Sequence, residues 1–222
     1  MSTVEPATGP RPSWAVQAPR LLFVVAVLAV GTGLVIHLRH AGDPLDLVAA
    51  VLAACYLAWI AVEIPVTFRS SGAAPRESAS LLLYAAARIA TVSAAVLGPL
   101  PWDDWSPLLL VPAAVFVGGV VLRQVAIHTL GRFYSHHVTR QTDHQIVTWG
   151  VYRFIRHPAY AGMLSAHVGF VVYFANPLSV LLLFALAAAI TFRIRTEERM
   201  LVNIPGYRAY ADGHARLVPG LW

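Results

Sequence analysis

Apolar positions fill six stretches of this chain, at about 20–38, 45–67, 79–100, 106–127, 159–175 and 177–194. Each approaches the ~20 residues a helix needs to cross ~30 Å of hydrocarbon. The polar positions are gathered between them. Residues 1–19, rich in Pro, Ser, Thr and Ala without periodicity, read as a disordered or surface-lying lead. The first apolar stretch is too long, too far from the N-terminus and too poor in cleavage signals for a signal peptide, so it reads as a retained helix. Only Ala175, Asn176 and Pro177 separate the last two stretches, which forces an antiparallel helical hairpin. The pattern predicts an all-α fold: a polytopic transmembrane bundle of about six spans. Residues 20–122 form its scaffold, and 123–222 hold nearly all the residues with chemistry to offer.

Composition sharpens this picture. The 222 residues are 58% hydrophobic and only 12% charged, against roughly 25% charged in soluble domains. The basic excess is wholly arginine, since the sequence has no lysine. Those arginines lie between apolar spans, which fits membrane topology and argues against a nucleic-acid partner. They cluster at Arg69 and Arg76, at Arg123, Arg132, Arg140, Arg153 and Arg156, and from Arg193 to Arg216. The 101–105 loop carries Asp103 and Asp104, and its Trp102 and Trp105 suit an outer interfacial belt. Arginine-bearing loops stay cytoplasmic, so both termini are expected inside, in the inner membrane of a bacterium judging from the Ala- and Arg-rich composition. The single cysteine, Cys55, excludes an intramolecular disulfide. His136, His137 and His144 lack a carboxylate or thiol at regular spacing, so no metal is expected. Gly118 and Gly119 permit close helix packing, within or between chains.

Between His144 and Gly162 a polar insert, HQIVTWGVYRFIRHPAYAG, interrupts the apolar pattern. Polar and charged residues at membrane depth are costly unless they line a cavity or bind something. Pro158 suits the first turn of a helix, which puts His157 near the N-cap. The amides of that turn could receive an anion, or the segment could be a Pro-started helix with interfacial anchors. Glu197 and Glu198 follow the sixth apolar stretch. They oppose the helix dipole there, and Arg193 stands one turn before Glu197 on the same face. Ligand-binding carboxylates and solvated helix-end acids are both compatible with that placement. The hairpin brings this segment to the same side as the insert. Deeper in the bundle, Arg88 pairs best with Glu63, the alternative being a polar lining for a substrate channel. His167 reads as a satisfied core histidine.

Taken in order, these elements resemble the isoprenylcysteine carboxyl methyltransferase family, within the wider group that includes phospholipid methyltransferases. The resemblance runs from about Arg123 to Trp222. It comprises Leu130-Gly131-Arg132-Phe133, His144 to Thr148, Gly150-Val151-Tyr152 and Arg156 to Tyr160. Glu197-Glu198, Leu201, Gly206, Tyr207 and Tyr210 complete it. It implies S-adenosyl-L-methionine as cofactor in a pocket at the cytoplasmic face. His144, Gln145, Ile146, Val147, Tyr152, His157, Pro158, Ala159 and Tyr160 would then contact it, with Glu197 opposite. Arg193 would face the substrate carboxylate, which with Glu197 makes the catalytic pair. The acceptor would be a lipophilic small molecule or a lipidated chain reached from the membrane lipids. The short tail and the different N-terminal spans depart from eukaryotic members.

Methyl transfer to an ionised carboxylate needs alignment and desolvation rather than a general base. A set of Arg, Tyr, Glu and backbone groups suits it. Methylation of a phospholipid amine would need a proton acceptor, for which His157, Glu198 and Tyr160 are the candidates. A membrane NADPH-dependent reductase of the sterol type is a further alternative. The paired glutamates count against it, because a phosphorylated dinucleotide calls for cationic contacts.

Overall fold

The structure is a computed structural model that describes residues 13–67, 75–131, 146–220 and 222. Seven helices account for most of them: α1 (Ser13–Arg39), α2 (Pro44–Thr67), α3 (Pro75–Leu97), α4 (Leu110–Leu130), α5 (Pro158–Phe174), α6 (Pro177–Leu201) and the short α7 (Tyr207–Asp212). Among the described residues there is no strand, only an isolated parallel bridge between Ile155 and Ala215. The expected all-α membrane bundle is borne out. Five helices are long and apolar enough to cross a bilayer. The sixth expected span, α5, has 17 residues, about 25 Å at 1.5 Å per residue.

The molecule shows an inside-out pattern. Leu28, Val51, Val121, Leu181 and Phe184 present large apolar side chains outward, as a surface meeting lipid tails does. Small residues and aromatics fill the centre, including Ala49, Ala53, Tyr56, Trp59, Phe116, Phe170 and Phe174. Apolar burial alone does not drive helix association in lipid, so close backbone approach carries more of the packing. The α4–α5 pair illustrates it. A Cβ on Gly119 would strike the backbone of Gly162 and Ala166, and one on Gly169 would strike that of Phe116 and Pro112. Gly119 therefore packs within the chain, whereas Gly118 meets nothing.

Three expectations need correction. Arg123 does not belong to a loop: α4 runs to Leu130, and the Arg123 side chain is 1% exposed. It is held there by Glu63, so it says nothing about which loops face inward. Glu197 and Glu198 do not follow the sixth span but lie within the last turns of α6, which continues to Leu201. Trp102 and Trp105 stand where an interfacial position requires. Both are half-buried on the end of the bundle, where Trp102 Nε1 donates to the Tyr173 carbonyl at 2.7 Å. The proposed disordered lead is instead helical from Ser13, where α1 starts; the rest of it falls outside the described residues, as do Arg69, Arg132, Arg140, His136, His137, His144 and Gln145.

Topology then sets two ends. The α1–α2 turn, the 98–106 loop and the α5–α6 turn lie together, laced by Asn176 Nδ2 to the Ala94 carbonyl (2.8 Å) and Tyr173 Oη to the Leu45 carbonyl (2.7 Å). The start of α5 and the end of α6 are at the other end, as the hairpin requires.

Candidate active site

The insert becomes a compact ledge at that second end. Gly150, at φ 62°, starts a 3-10 turn through Arg153, a conformation that side chains disfavour. The turn lets Tyr152 point inward, where Val147, Tyr152, Ala159 and Ala126 pack as a small apolar cluster under Leu130 and Val151. Tyr210 Oη, from α7, donates to the Tyr152 carbonyl at 2.6 Å. Ile146 is half-buried beside Gly206.

His157 caps α5 with Pro158 in the first turn, as the sequence predicts. The amides of Tyr160 and Ala161 both return to the His157 carbonyl, at 3.1 and 3.0 Å. Fewer first-turn amides are therefore directed outward for an anion than the sequence suggests.

Two carboxylates on consecutive residues of α6 then go different ways. Glu198 is pinned by two guanidiniums and an imidazole: Arg156 Nη1 lies at 2.8 Å, Arg216 Nε at 2.7 Å and His157 Nε2 at 3.3 Å. The C-terminal segment clasps this arrangement, since Arg156 N and His157 N donate to the carbonyls of Ala215 and Arg216. Arg216 also lies over the Trp222 ring. Glu197 accepts from Tyr160 Oη at 2.5 Å and from Arg193 Nε at 3.1 Å. Arg193 is wholly buried, and its Nη1 donates to Ser80 Oγ at 2.8 Å. The i, i+4 relation of Arg193 and Glu197 read from the sequence is thus an ion pair. The structure brings Arg193, Glu197, His157, Pro158, Ala159 and Tyr160 together, with Val147 and Tyr152 packed beneath Ala159.

Two buried polar atoms beside Glu198, Arg156 Nε and the Tyr207 hydroxyl, make no hydrogen bond of good geometry, and the two side chains lie close enough to interact with each other. Burial pushes the Tyr207 hydroxyl up to about 12. The Glu198 charge adds to this and the Arg156 charge opposes it. Burial also raises Tyr210 to about 12. Both phenols stay protonated near neutrality and remain donors.

Beneath the site lies a second polar cluster, larger than the Arg88–Glu63 pair read from the sequence. Glu63 meets Arg123 through both carboxylate oxygens, Arg88 Nη1 at 3.3 Å, Trp59 Nε1 at 2.7 Å and Gln124 Nε2 at 3.2 Å. Arg88 Nε donates to Tyr56 Oη, Tyr56 Oη donates to His167 Nε2, and His167 Nδ1 donates to the Met163 carbonyl. His167 is therefore the satisfied core histidine expected. The parts that sequence reasoning missed are Ser80, Tyr84, Tyr56 and Arg123. One signal was present: Ser80, Tyr84 and Arg88 recur every four residues on α3, on the face that carries Arg88.

Comparison with known proteins agrees with the resemblance read from the sequence. Residues 111–203 match the model of the isoprenylcysteine carboxyl methyltransferase (ICMT) family. Protein-S-isoprenylcysteine O-methyltransferase B of Arabidopsis thaliana is 40% identical over 105 residues, covering 46% of this chain and 52% of that protein. The Saccharomyces cerevisiae protein-S-isoprenylcysteine O-methyltransferase is 39% identical over 88 residues, 38% of this chain and 37% of its own length. The Dictyostelium discoideum protein of that name is 33% identical over 133 residues, 54% of this chain and 56% of its own length. The chain thus spans about half the length of the curated relatives it matches, or less. The matched family segment contains α4, the ledge, α5 and α6, and ends before Gly206, Tyr207 and Tyr210.

Proposed function

We propose that this multi-pass membrane protein is an S-adenosyl-L-methionine-dependent methyltransferase acting on the carboxylate of a lipophilic, isoprenylcysteine-like substrate. The observation that carries the reading is where the matched segment places its polar residues. Arg193, Glu197, Tyr160 and His157 meet at one end of an otherwise apolar bundle, between the ledge and the last turns of α6. The surplus of arginine at that end, Arg153, Arg156, Arg195, Arg199, Arg208 and Arg216, supports a cytoplasmic orientation. Arg39 is the exception at the opposite end.

The residues fit such a cofactor. Its ribose hydroxyls, ammonium and carboxylate call for an acceptor and several donors. Glu197, 14% exposed at the mouth of the site, is the acceptor. Arg156 Nε and the Tyr207 hydroxyl, buried without a hydrogen bond of good geometry, are further donors there. His157, Pro158, Ala159 and Tyr160 would line one wall, and Ile146, Val147 and Tyr152 its base. His144 and Gln145 belong to the same proposal from sequence alone. When bound, the cofactor supplies a methyl group on a sulfonium. The chain's own part is to align the acceptor and exclude water. Arg193 and Tyr160 lie where they can orient an acceptor carboxylate, and the surrounding apolar helices lower the local dielectric. Attack by a carboxylate on a sulfonium cancels charge, so such a setting favours the transition state.

The state of the candidate bases supports oxygen over nitrogen methylation. An amine acceptor must lose a proton, yet Glu198 is bound by three cationic or imidazole groups. His157 is turned to Glu198, and the Tyr160 proton is given to Glu197.

Titration calorimetry of the detergent-purified chain with S-adenosylmethionine, its demethylated product and NADPH tests the reading. Micromolar binding of the first two, lost in Glu197→Ala, is expected. Binding of NADPH alone would mean that the likeness is architectural and the chemistry different.

A further inference from the structure

Helix α3 carries a polar stripe through the apolar bundle. Ser80, Tyr84 and Arg88 stand at i, i+4 and i+8, one face of the helix extending about 12 Å along its axis. The first and last of them are tied to described partners. Ser80 receives Arg193 Nη1. Arg88 gives Nε to Tyr56 and Nη1 to Glu63, with its guanidinium over the Trp59 ring at 4.5 Å. What the stripe leaves over is two donors: the Tyr84 hydroxyl and Arg88 Nη2 have no hydrogen-bond partner, and both atoms are closed to solvent.

Tyr84 is 4% exposed, and the Arg88 side chain 16%. An unmet donor in a hydrocarbon-embedded bundle is costly, because no water competes for it. Two such donors one turn apart on the same face are expected where an oxygen-bearing group is to be received. The location agrees. Tyr84 packs edge-on against Tyr160, ring centroids 6.0 Å apart, and Tyr160 holds Glu197. Its hydroxyl lies within electrostatic reach of Arg88, Arg123 and Arg193 as well as Glu63. An oxygen anion is favoured there and an ammonium opposed.

Resting on the methyltransferase reading, we propose that the Tyr84 hydroxyl and Arg88 Nη2 form the deep wall of the acceptor site and bind the carboxylate of a lipophilic acid. Arg193, held in place by Ser80, Tyr160 and Glu197, orients the carboxylate from one side, and Tyr84 and Arg88 add the donors that choose the acceptor. The subsite selects an acid over an amine-headed lipid. Because it is shut off from water, it admits an anion carried on an apolar chain and not a small soluble one.

Tyr84→Phe is the decisive variant, since it removes a hydroxyl that bonds to nothing in the fold. A merely structural orphan would leave ligand binding untouched and raise the melting temperature. The probes are an N-acylated S-prenylcysteine and its uncharged carboxamide, titrated into the detergent-purified full chain, with acetate as the soluble anion. The wild type is expected to bind the acid at least about tenfold more tightly than the carboxamide, the scale of a hydrogen bond to a charged group. That preference should fall at least fivefold in Tyr84→Phe, while S-adenosylmethionine binding is retained and acetate fails to compete. An unchanged preference in Tyr84→Phe, or no preference in the wild type, overturns the subsite. Loss of S-adenosylmethionine binding in the wild type would remove the methyltransferase reading instead, and the acid-to-carboxamide ratio would still decide the subsite by itself.

Discussion

The two ends of the bundle use polar groups in opposite ways. At the end that joins α1 to α2 and α5 to α6, polar side chains staple helix to helix. His37 bridges Asp46 and the Val96 carbonyl, Asn176 reaches Ala94, and Tyr173 and Trp102 close on backbone carbonyls. At the other end, carboxylates and guanidiniums compete for one another, and donors are left over. Five buried side-chain atoms among the described residues make no hydrogen bond of good geometry, and only Ser93 Oγ belongs to the stapled half. A polar group used for architecture is paired by the fold itself. One left unpaired at the cost of stability marks where the fold expects something else.

This contrast can be broken most forcefully at its boundary. Glu63→Ala would leave the Arg88 and Arg123 guanidiniums without their shared carboxylate. We expect a loss of about 3–5 kcal/mol, read as a large fall in melting temperature in detergent; a small fall would mean that the cluster is not structural. At the site end, Glu197→Ala and His157→Ala should lower turnover at least ~100-fold, about 2.7 kcal/mol of activation free energy, with the folded state intact by circular dichroism. Wild-type turnover in either variant would remove that residue from the site. At the stapled end the order reverses. Tyr173→Phe should cost about 1 kcal/mol of stability and leave turnover unchanged, so altered kinetics there would erase the distinction between the ends.

The smallest effect concerns pH. The phenols of Tyr207 and Tyr210 are raised from 10.0 to about 12. A group with a raised folded pKa contributes stability that is complete below its unfolded pKa and lost as pH climbs through the folded one. Nothing should change near neutrality from these two groups, and stability should decline between pH 10 and 12. In Tyr207→Phe that alkaline decline, followed by thermal melting, should be shallower.

Much of this was legible in the sequence because it is local. Span length, the Asn176-Pro177 turn, the capping role of His157-Pro158 and the spacing of Arg193 and Glu197 are all decided within a turn or two of chain. Partners far apart in sequence were not legible. Arg123 reads as a loop arginine until Glu63, sixty residues earlier, is placed beside it. Apolar composition could not set the end of α6 either, since a helix continues through charged residues once ion pairs receive them. Glu197 and Glu198 therefore sit inside α6. Tyr84 draws no notice in the sequence because a tyrosine in an apolar run ordinarily is core. Only the lack of a partner for its hydroxyl separates it from that crowd.

The glycine seam between α4 and α5 has one more consequence. Helices whose backbones touch at Gly119, Gly162 and Gly169 have no interlocking side chains there to slide past one another. The pair is expected to hold as a single strut, so a bulkier residue at Gly162 should disturb the start of α5 and the Arg123 contact with the Ala159 carbonyl together.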